Sequence, residues 1–466
     1  MSPIETLPFE VLQLIFSLLV SSTNQGEYRL GVLPSRIILP FQHTLMKVSR
    51  SWRTVAISTP HLWSSIHLIW PSNDPRAPGP VPVVDPAAVR RYVHGALSFS
   101  KSAPLDINIS DRGWEEVGGL LLVDSHRWRT LSLGCTDPPQ QFEFRAMRNH
   151  IPMLETFRFL PSSPVLLDGH NAYFKAISEA FEDAPALRRV DFNTQLLPVR
   201  FPWGQIVEAG LHYCTTGRTS AMACFDTVRD MLASPAMRKL TVHGDPYIPA
   251  GPVINGLHLQ ELEFGHNAAW SAPLYLPSLR KVAANGDTIK ILLDCIQLSR
   301  CSLTSLAIIL DGISSTLLDE IRSMVFLLGQ LQRLEISGYA EVDNLKAFLS
   351  PLWQTNALPR LSHLVISLTL EEAEAMHCTR FYRSILHAVG CIITSASTEL
   401  RTVVVDLCAE RFDDDSHALD LNALGNSHEL RQLKTSLSRR EDITVKIQLM
   451  DTCSRGQIFE WEFTSM

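Results

Sequence analysis

The sequence is short of charge. Asp, Glu, Lys and Arg make up 19% of its 466 residues, and the net charge is −7. The absence of a basic excess argues against a general binder of nucleic acid or of anionic membranes. No apolar run approaches the roughly 18 residues that a spanning helix needs. The start of the chain lacks a positive segment, since Arg29 is the first basic residue while Glu5 and Glu10 flank the first apolar stretch. The expectation is an intracellular chain, in cytoplasm or nucleus, with no membrane partner and no nucleic-acid partner. No CxxC occurs, and nine cysteines lie scattered along the chain. They read as free, mostly buried thiols of a reducing compartment.

Catalytic signatures are also missing. There is no glycine-rich phosphate loop, GxSxG elbow, HExxH or kinase motif. Cys295 and Cys301 have no His near them in sequence, and His377-Cys378 has no orienting neighbour. Asp413-Asp414-Asp415 lacks the glycine and glutamate of a calcium loop. No metal, no cofactor and no catalytic residue is expected. What the chain does have is apolar material, 45% of residues, enough for a large core. Its length suits about three domains or one long repeat array.

The first segment reads as helix. Pro8 suits a first helical position, and Leu12, Ile15, Phe16 and Leu19 recur at helical spacing. A second helical stretch, Leu45 to Ala56, ends before Ser58-Thr59-Pro60. Between them, residues 21–40 hold Asn24, Gly26, Gly31, Pro34 and Pro40 and read as a loop insertion. From residue 71 to 87 there are six prolines in 17 residues, which reads as an extended linker. A helix is expected near residues 87–100 and a strand at 105–109.

Beyond the linker one template recurs, apolar-x-x-apolar-x-apolar. It starts at Trp128-Leu131-Leu133 and Leu154-Phe157-Phe159 and runs to Leu361-Leu364-Ile366 and Leu400-Val403-Val405. The middle positions fall at 131, 157, 190, 209, 240, 262, 282, 306, 334, 364 and 403, a mean spacing of about 27 residues. The last two apolar positions alternate as in a strand with one buried face. Amphipathic stretches lie between units, at Phe225-Val228-Leu232, Ile289-Leu292-Leu293-Ile296, Val342-Leu345-Leu349 and Phe381-Ile385-Val389-Ile392. Strand-plus-helix units that bury their faces only by stacking make a curved solenoid with a parallel sheet and outer helices. An ordinary multi-domain α/β protein is the rival fold. Residues 418–437 look helical and 443–449 alternate like a strand, as a capping end would.

The N-terminal pattern, LPxExLxxIFxxL, then VSRSWRxVA, then TPxLW, resembles the F-box, in the F-box-like form common in fungal proteins. The units behind it resemble degenerate leucine-rich repeats. The resemblance divides the chain into an F-box-like helical domain at 1–70, a proline-rich linker at 71–87 and a repeat solenoid at 88–466, an α/β architecture overall. It implies docking on a Skp-type adaptor and, through it, a cullin-RING ubiquitin ligase, with Leu7, Pro8, Val11, Leu12, Ile15 and Trp52 as adaptor contacts. The repeats would then bind an unknown target protein, and the chain itself would not be an enzyme. By strand alternation the concave face carries Arg158, Arg189, Asp191, Glu208, Lys239, Glu261, Glu263, Lys281, Arg333, Glu335 and His363. Mixed charge on a long face suits a protein partner. A scaffold of the same fold that joins no ligase is the alternative, and an enzyme with a site assembled from distant repeats is a third reading.

Overall fold

The protein, here as a computed structural model, is described over residues 7–23, 41–68, 85–110, 113–134, 144–160, 176, 179–193, 200–212, 221–244, 251–265, 270–311, 324, 327–339, 358–370, 383, 385–387, 389–390, 393, 399–409, 427–437, 443–451 and 457–464. Of the expected loop at 21–40, residues 21–23 are helical instead and 24–40 lie outside these residues, as do most of the linker (71–84), the helical stretch at 342–349 and the aspartate triplet at 413–415. The chain forms two units, Met1–Thr227 and Val228–Met466.

In the first unit the N-terminal apolar segment forms helix α1 (Phe9–Thr23), followed by α2 (Phe41–Val48) and α3 (Arg50–Ser58). Ser49 caps α3, its hydroxyl oxygen accepting from the Trp52 N–H at 3.2 Å. Phe16 of α1 lies 5.0 Å from the Trp52 ring, and the Gln13 amide donates to Thr59 Oγ1 at 3.0 Å. Trp63 then locks the module. Its indole N–H donates to the Ala56 carbonyl at 2.8 Å, and its ring meets His43 and Phe99 at 5.5 and 4.8 Å.

Strand β1 (Ser65–Leu68) follows at once, ahead of the proline-rich stretch. Helix α4 (Pro86–Ser100) starts two residues inside that stretch, with Pro86 at its first position and Asp85 capping it through the Ala87 N–H at 2.9 Å. The remaining elements are β2 (Leu105–Ser110), α5 (Gly113–Val123), β3 (Trp128–Gly134), β4 (Thr156–Phe159), β5 (Arg189–Asn193) and β6 (Glu208–His212). All six strands pair in parallel and in chain order. Arg127 ties α4 to the entry of β3. Buried, it donates to the Ala103 carbonyl at 2.9 Å and Ser100 Oγ at 2.7 Å and pairs with Asp124 at 3.1 Å. In the crossover from β4 to β5 residues 179–181 are helical, and Phe181 stacks on Phe157 at 4.0 Å with Phe201 beside both.

Helix α6 (Ala221–Ala233) leads into the second unit. Its strands are β7 (Lys239–His243), β9 (Glu261–Phe264), β11 (Lys281–Asn285), β12 (Ser305–Asp311), β13 (Arg333–Tyr339), β14 (His363–Leu370), β15 (Thr402–Ala409), β16 (Thr444–Asp451) and β17 (Gln457–Thr464). They pair in that order, parallel up to β16, and β17 closes the order antiparallel to β16. The short spacings here leave no room for a helix in every crossover. Two short strands, β8 (Ile254–Asn255) and β10 (Leu274–Tyr275), pair with each other instead. Helix α7 (Ile289–Ser299) follows β11, and α8 (His428–Leu437) precedes β16. Ile385 and Val389, from the stretch expected as helix, are helical and buried.

Every template position in all eleven expected units is buried, none more than 8% exposed. The middle positions stand in register: Leu131, Phe157, Val190 and Ala209 in the first unit, and Leu240, Leu262, Val282, Leu306, Leu334, Leu364 and Val403 in the second. The register extends further than the template did, to Ile66 and Ile107 at one end and Val445 at the other. Each unit is thus a stack of strand-and-crossover repeats burying one sheet face. The architecture is α/β with a long parallel sheet, consistent with the solenoid-like arrangement expected. Among the described residues no helix is long and apolar enough to cross a membrane.

Candidate functional site

The sequence offers two candidate surfaces, the α1 helix and the open face of the sheet. Helix α1 is apolar on two sides. Leu12 and Phe16 face inward, Leu12 only 2% exposed, and they hold the helix on α3. A second stripe runs Leu7, Val11, Leu14, Leu18, spaced by one helical turn each. Of it, Val11, Leu14 and Leu18 are exposed, the last two at 61% and 62%, as is Phe9 beside them. Of the residues expected to touch an adaptor, Pro8 and Val11 are exposed, and Leu7, Ile15 and Trp52 are half-buried. Leu12 is a core residue and presents no surface. Trp52 packs on Phe16, and its buried indole Nε1 makes no hydrogen bond.

The expectation missed Leu14 and Leu18. The signal was there: a helix with apolar residues on two sides has one more face than its own core needs. Exposed leucines on neighbouring turns form an apolar strip on the outer side of the helix.

The charged residues expected on the sheet face do occupy the positions between the buried ones, and cross-strand pairing joins most of them. In the first unit Arg158 Nε lies 3.9 Å from Asp191 Oδ2, and Asp191 Oδ1 meets His212 Nε2 at 2.6 Å. Gly210, opposite Asp191, leaves room for that carboxylate, since a Cβ there would sit 2.4 Å from Oδ1. Arg189 pairs with Glu208 at 3.2 Å, and Arg129 forks onto Asp106. In the second unit Lys239 pairs across strands with Glu263 at 3.6 Å and Lys281 with Glu261 at 2.6 Å, while Arg333 pairs along its own strand with Glu335 at 3.0 Å. His363 Nδ1 meets Ser362 Oγ at 2.8 Å. Such exposed pairs contribute at most about 1 kcal/mol each. The mixed charge is therefore largely neutralised within the face. From β12 onward the equivalent positions are mixed, with Ala307, Val365 and Val404 interleaved with Glu335 and Lys446. On β15 Asp406 stands among them, its carboxyl pushed up by burial.

The thiols of Cys295 and Cys301 are free and buried, and burial pushes them up to about 12 and about 11. Such groups stay protonated and unreactive at neutral pH. A groove of about 510 Å³ lies in the second unit between residues 270–274 and α7, with Trp270, Ser271, Asp294, Gln297 and Leu298 among its lining residues. Among the described residues no three His, Cys, Asp or Glu side chains are placed to hold a metal ion. No family model and no curated protein matches the chain, so the functional argument rests on its residues and their geometry.

Proposed function

We propose that this chain is the substrate-recognition subunit of an SCF-type ubiquitin ligase. In this reading the N-terminal helices dock a Skp-type adaptor and the open sheet face holds a target protein. The observation that supports it best is the outward stripe Val11, Leu14 and Leu18 on a helix whose inner side is fixed by Leu12 and Phe16. A helix with an exposed apolar stripe at i, i+3 and i+7 is built to lie against a partner's apolar surface. The stripe sits within the segment that resembles the F-box, and the β1 strand follows the helices directly, which gives the docking helix a stiff base. No catalytic group is asked of this chain. Its contribution to ubiquitin transfer is proximity, because a target held beside the charged conjugating enzyme presents its lysines at high effective concentration.

Co-expression of the full chain with a Skp-type adaptor and its cullin tests the reading. The wild type retains both through purification, and the Leu14→Asp/Leu18→Asp variant, folded because both positions are exposed, retains neither. Retention by both proteins refutes the assigned surface, and retention by neither leaves an interaction scaffold outside the ligase.

A further inference from the structure

In the second unit the residue just before each parallel strand forms a row along the strand-entry rim. Backbone N–H to carbonyl bonds of 2.8–2.9 Å link Arg238, before β7, through one rung to Arg280, before β11, and through three more to Arg401, before β15. The rungs between are Gln260, Thr304, Gln332 and Ser362, so the row holds no acid. Arg280 and Arg401 are exposed. So are Arg300, which caps α7 four residues ahead of Thr304, and Arg360, two residues ahead of Ser362. Arg238 is half-buried, and its Nη1 donates to the Pro235 and Met237 carbonyls at 2.7 and 3.1 Å.

One residue further along, Lys239, Lys281 and Arg333 all pair with glutamates, whereas among the described residues no carboxylate pairs with any of the five rim arginines. Glu399, two residues before Arg401, already interacts with another group. This happens in a chain with more acidic residues, 48, than Lys and Arg, 41. Guanidinium groups stay charged and match carboxylates with two parallel hydrogen bonds. We propose that this rim binds an extended acidic segment of a partner protein, with carboxylates at every third residue.

The spacing comes from the sheet. Neighbouring strands lie about 4.8 Å apart, so Arg238 and Arg280, two strands apart, are separated by about 10 Å, and Arg401, four strands on, by about 19 Å more. A polyproline II segment rises about 3.1 Å per residue with three residues per turn, so every third side chain returns to one side after about 9 Å. Acids at the first, fourth and tenth positions then meet Arg238, Arg280 and Arg401, and the seventh falls between Arg300 and Arg360. Such a segment keeps its backbone solvated and needs no strand edge. The net charge of −7 disfavours a nucleic acid as the polyanion. The rim is separate from α1, so this binding stands or falls independently of the adaptor.

The test titrates the full chain into a dye-labelled (Asp-Ser-Pro)4 peptide at low salt and follows fluorescence anisotropy. The companion probes are (Lys-Ser-Pro)4, a peptide of the same composition as the first with its acids contiguous, and an oligothymidylate of equal length. The chain variants are Arg280→Glu, Arg401→Glu and Lys290→Glu, the last making the same charge change at the far end of α7 from Arg300. Melting curves check each fold. Saturable binding of the spaced acidic peptide is expected, weakening as salt is added, with none of the lysine peptide. Each arginine variant should bind about tenfold more weakly, and Lys290→Glu should bind like the wild type. No binding of the spaced peptide, equal binding of the contiguous one, or an equal loss in Lys290→Glu overturns the proposal. So does tighter binding of the oligothymidylate, because the row would then serve a nucleic acid.

Discussion

Replacing Trp63 with alanine tests how the N-terminal helices are joined to the sheet. Trp63 is 1% exposed and touches three elements: it donates to the Ala56 carbonyl of α3, meets His43 of α2, and packs on Phe99 of α4. A buried aromatic cut to alanine costs about 3–5 kcal/mol from lost burial and the cavity left behind. About 1 kcal/mol of this is the hydrogen bond alone, so Trp63→Phe isolates the smaller loss. For a unit of this size each kcal/mol moves the melting temperature by roughly 2–4 °C. Trp63→Ala should therefore lower the first transition by about 6–20 °C, and Trp63→Phe by a few degrees. Circular dichroism melts measure the shift. A Trp63→Ala chain that melts with the wild type would refute the account of how the N-terminal helices are anchored.

Three further outcomes follow from local chemistry. Gly338 sits at φ +114°, and a Cβ there would lie 2.2 Å from the Leu310 carbonyl oxygen. Gly338→Ala should cost more than the roughly 1–3 kcal/mol of the backbone strain alone, read as a lower urea midpoint of the second unit. His43 and His67 are both held below the usual 6.5, chiefly by burial, with Lys47 adding to the effect at His43 and Asp106 opposing it at His67. The unfolded chain thus takes up protons that the folded one resists, so their contribution is complete above about pH 6.5 and is lost as pH falls below it. The first unit should lose stability between about pH 7 and 5, and His43→Phe should flatten that slope; an unchanged slope would contradict the assignment. Finally, Cys295 and Cys301 should resist a thiol reagent at pH 8 until denaturant is added, and fast labelling of the native chain would contradict their burial.

Much of the repeat fold was legible because its signal is local. A strand that buries alternate positions, with one more apolar residue three places before them, writes its own triplet, and every position of the eleven triplets is buried. What escaped was equally specific. Trp63, Ile66 and Leu68 match the same template, yet they follow the helices so closely that they read as part of the helical module. On α1 the period identified the apolar stripe of Leu12 and Phe16, but which further residues stay uncovered depends on where α3 lies, and α3 is distant in sequence. The charged face was located by alternation, whereas its neutralisation was not legible. Arg158 meets Asp191, and Lys281 meets Glu261, only through strand register across intervening crossovers.

The central claim is that the outward stripe of α1 docks a Skp-type adaptor. Isothermal titration of the purified full chain with that adaptor tests it most directly, with Leu14→Asp/Leu18→Asp measured beside the wild type at matched melting temperature. The account predicts one-to-one binding by the wild type and at least a hundredfold loss in the variant. Equal affinity of the two proteins would contradict it.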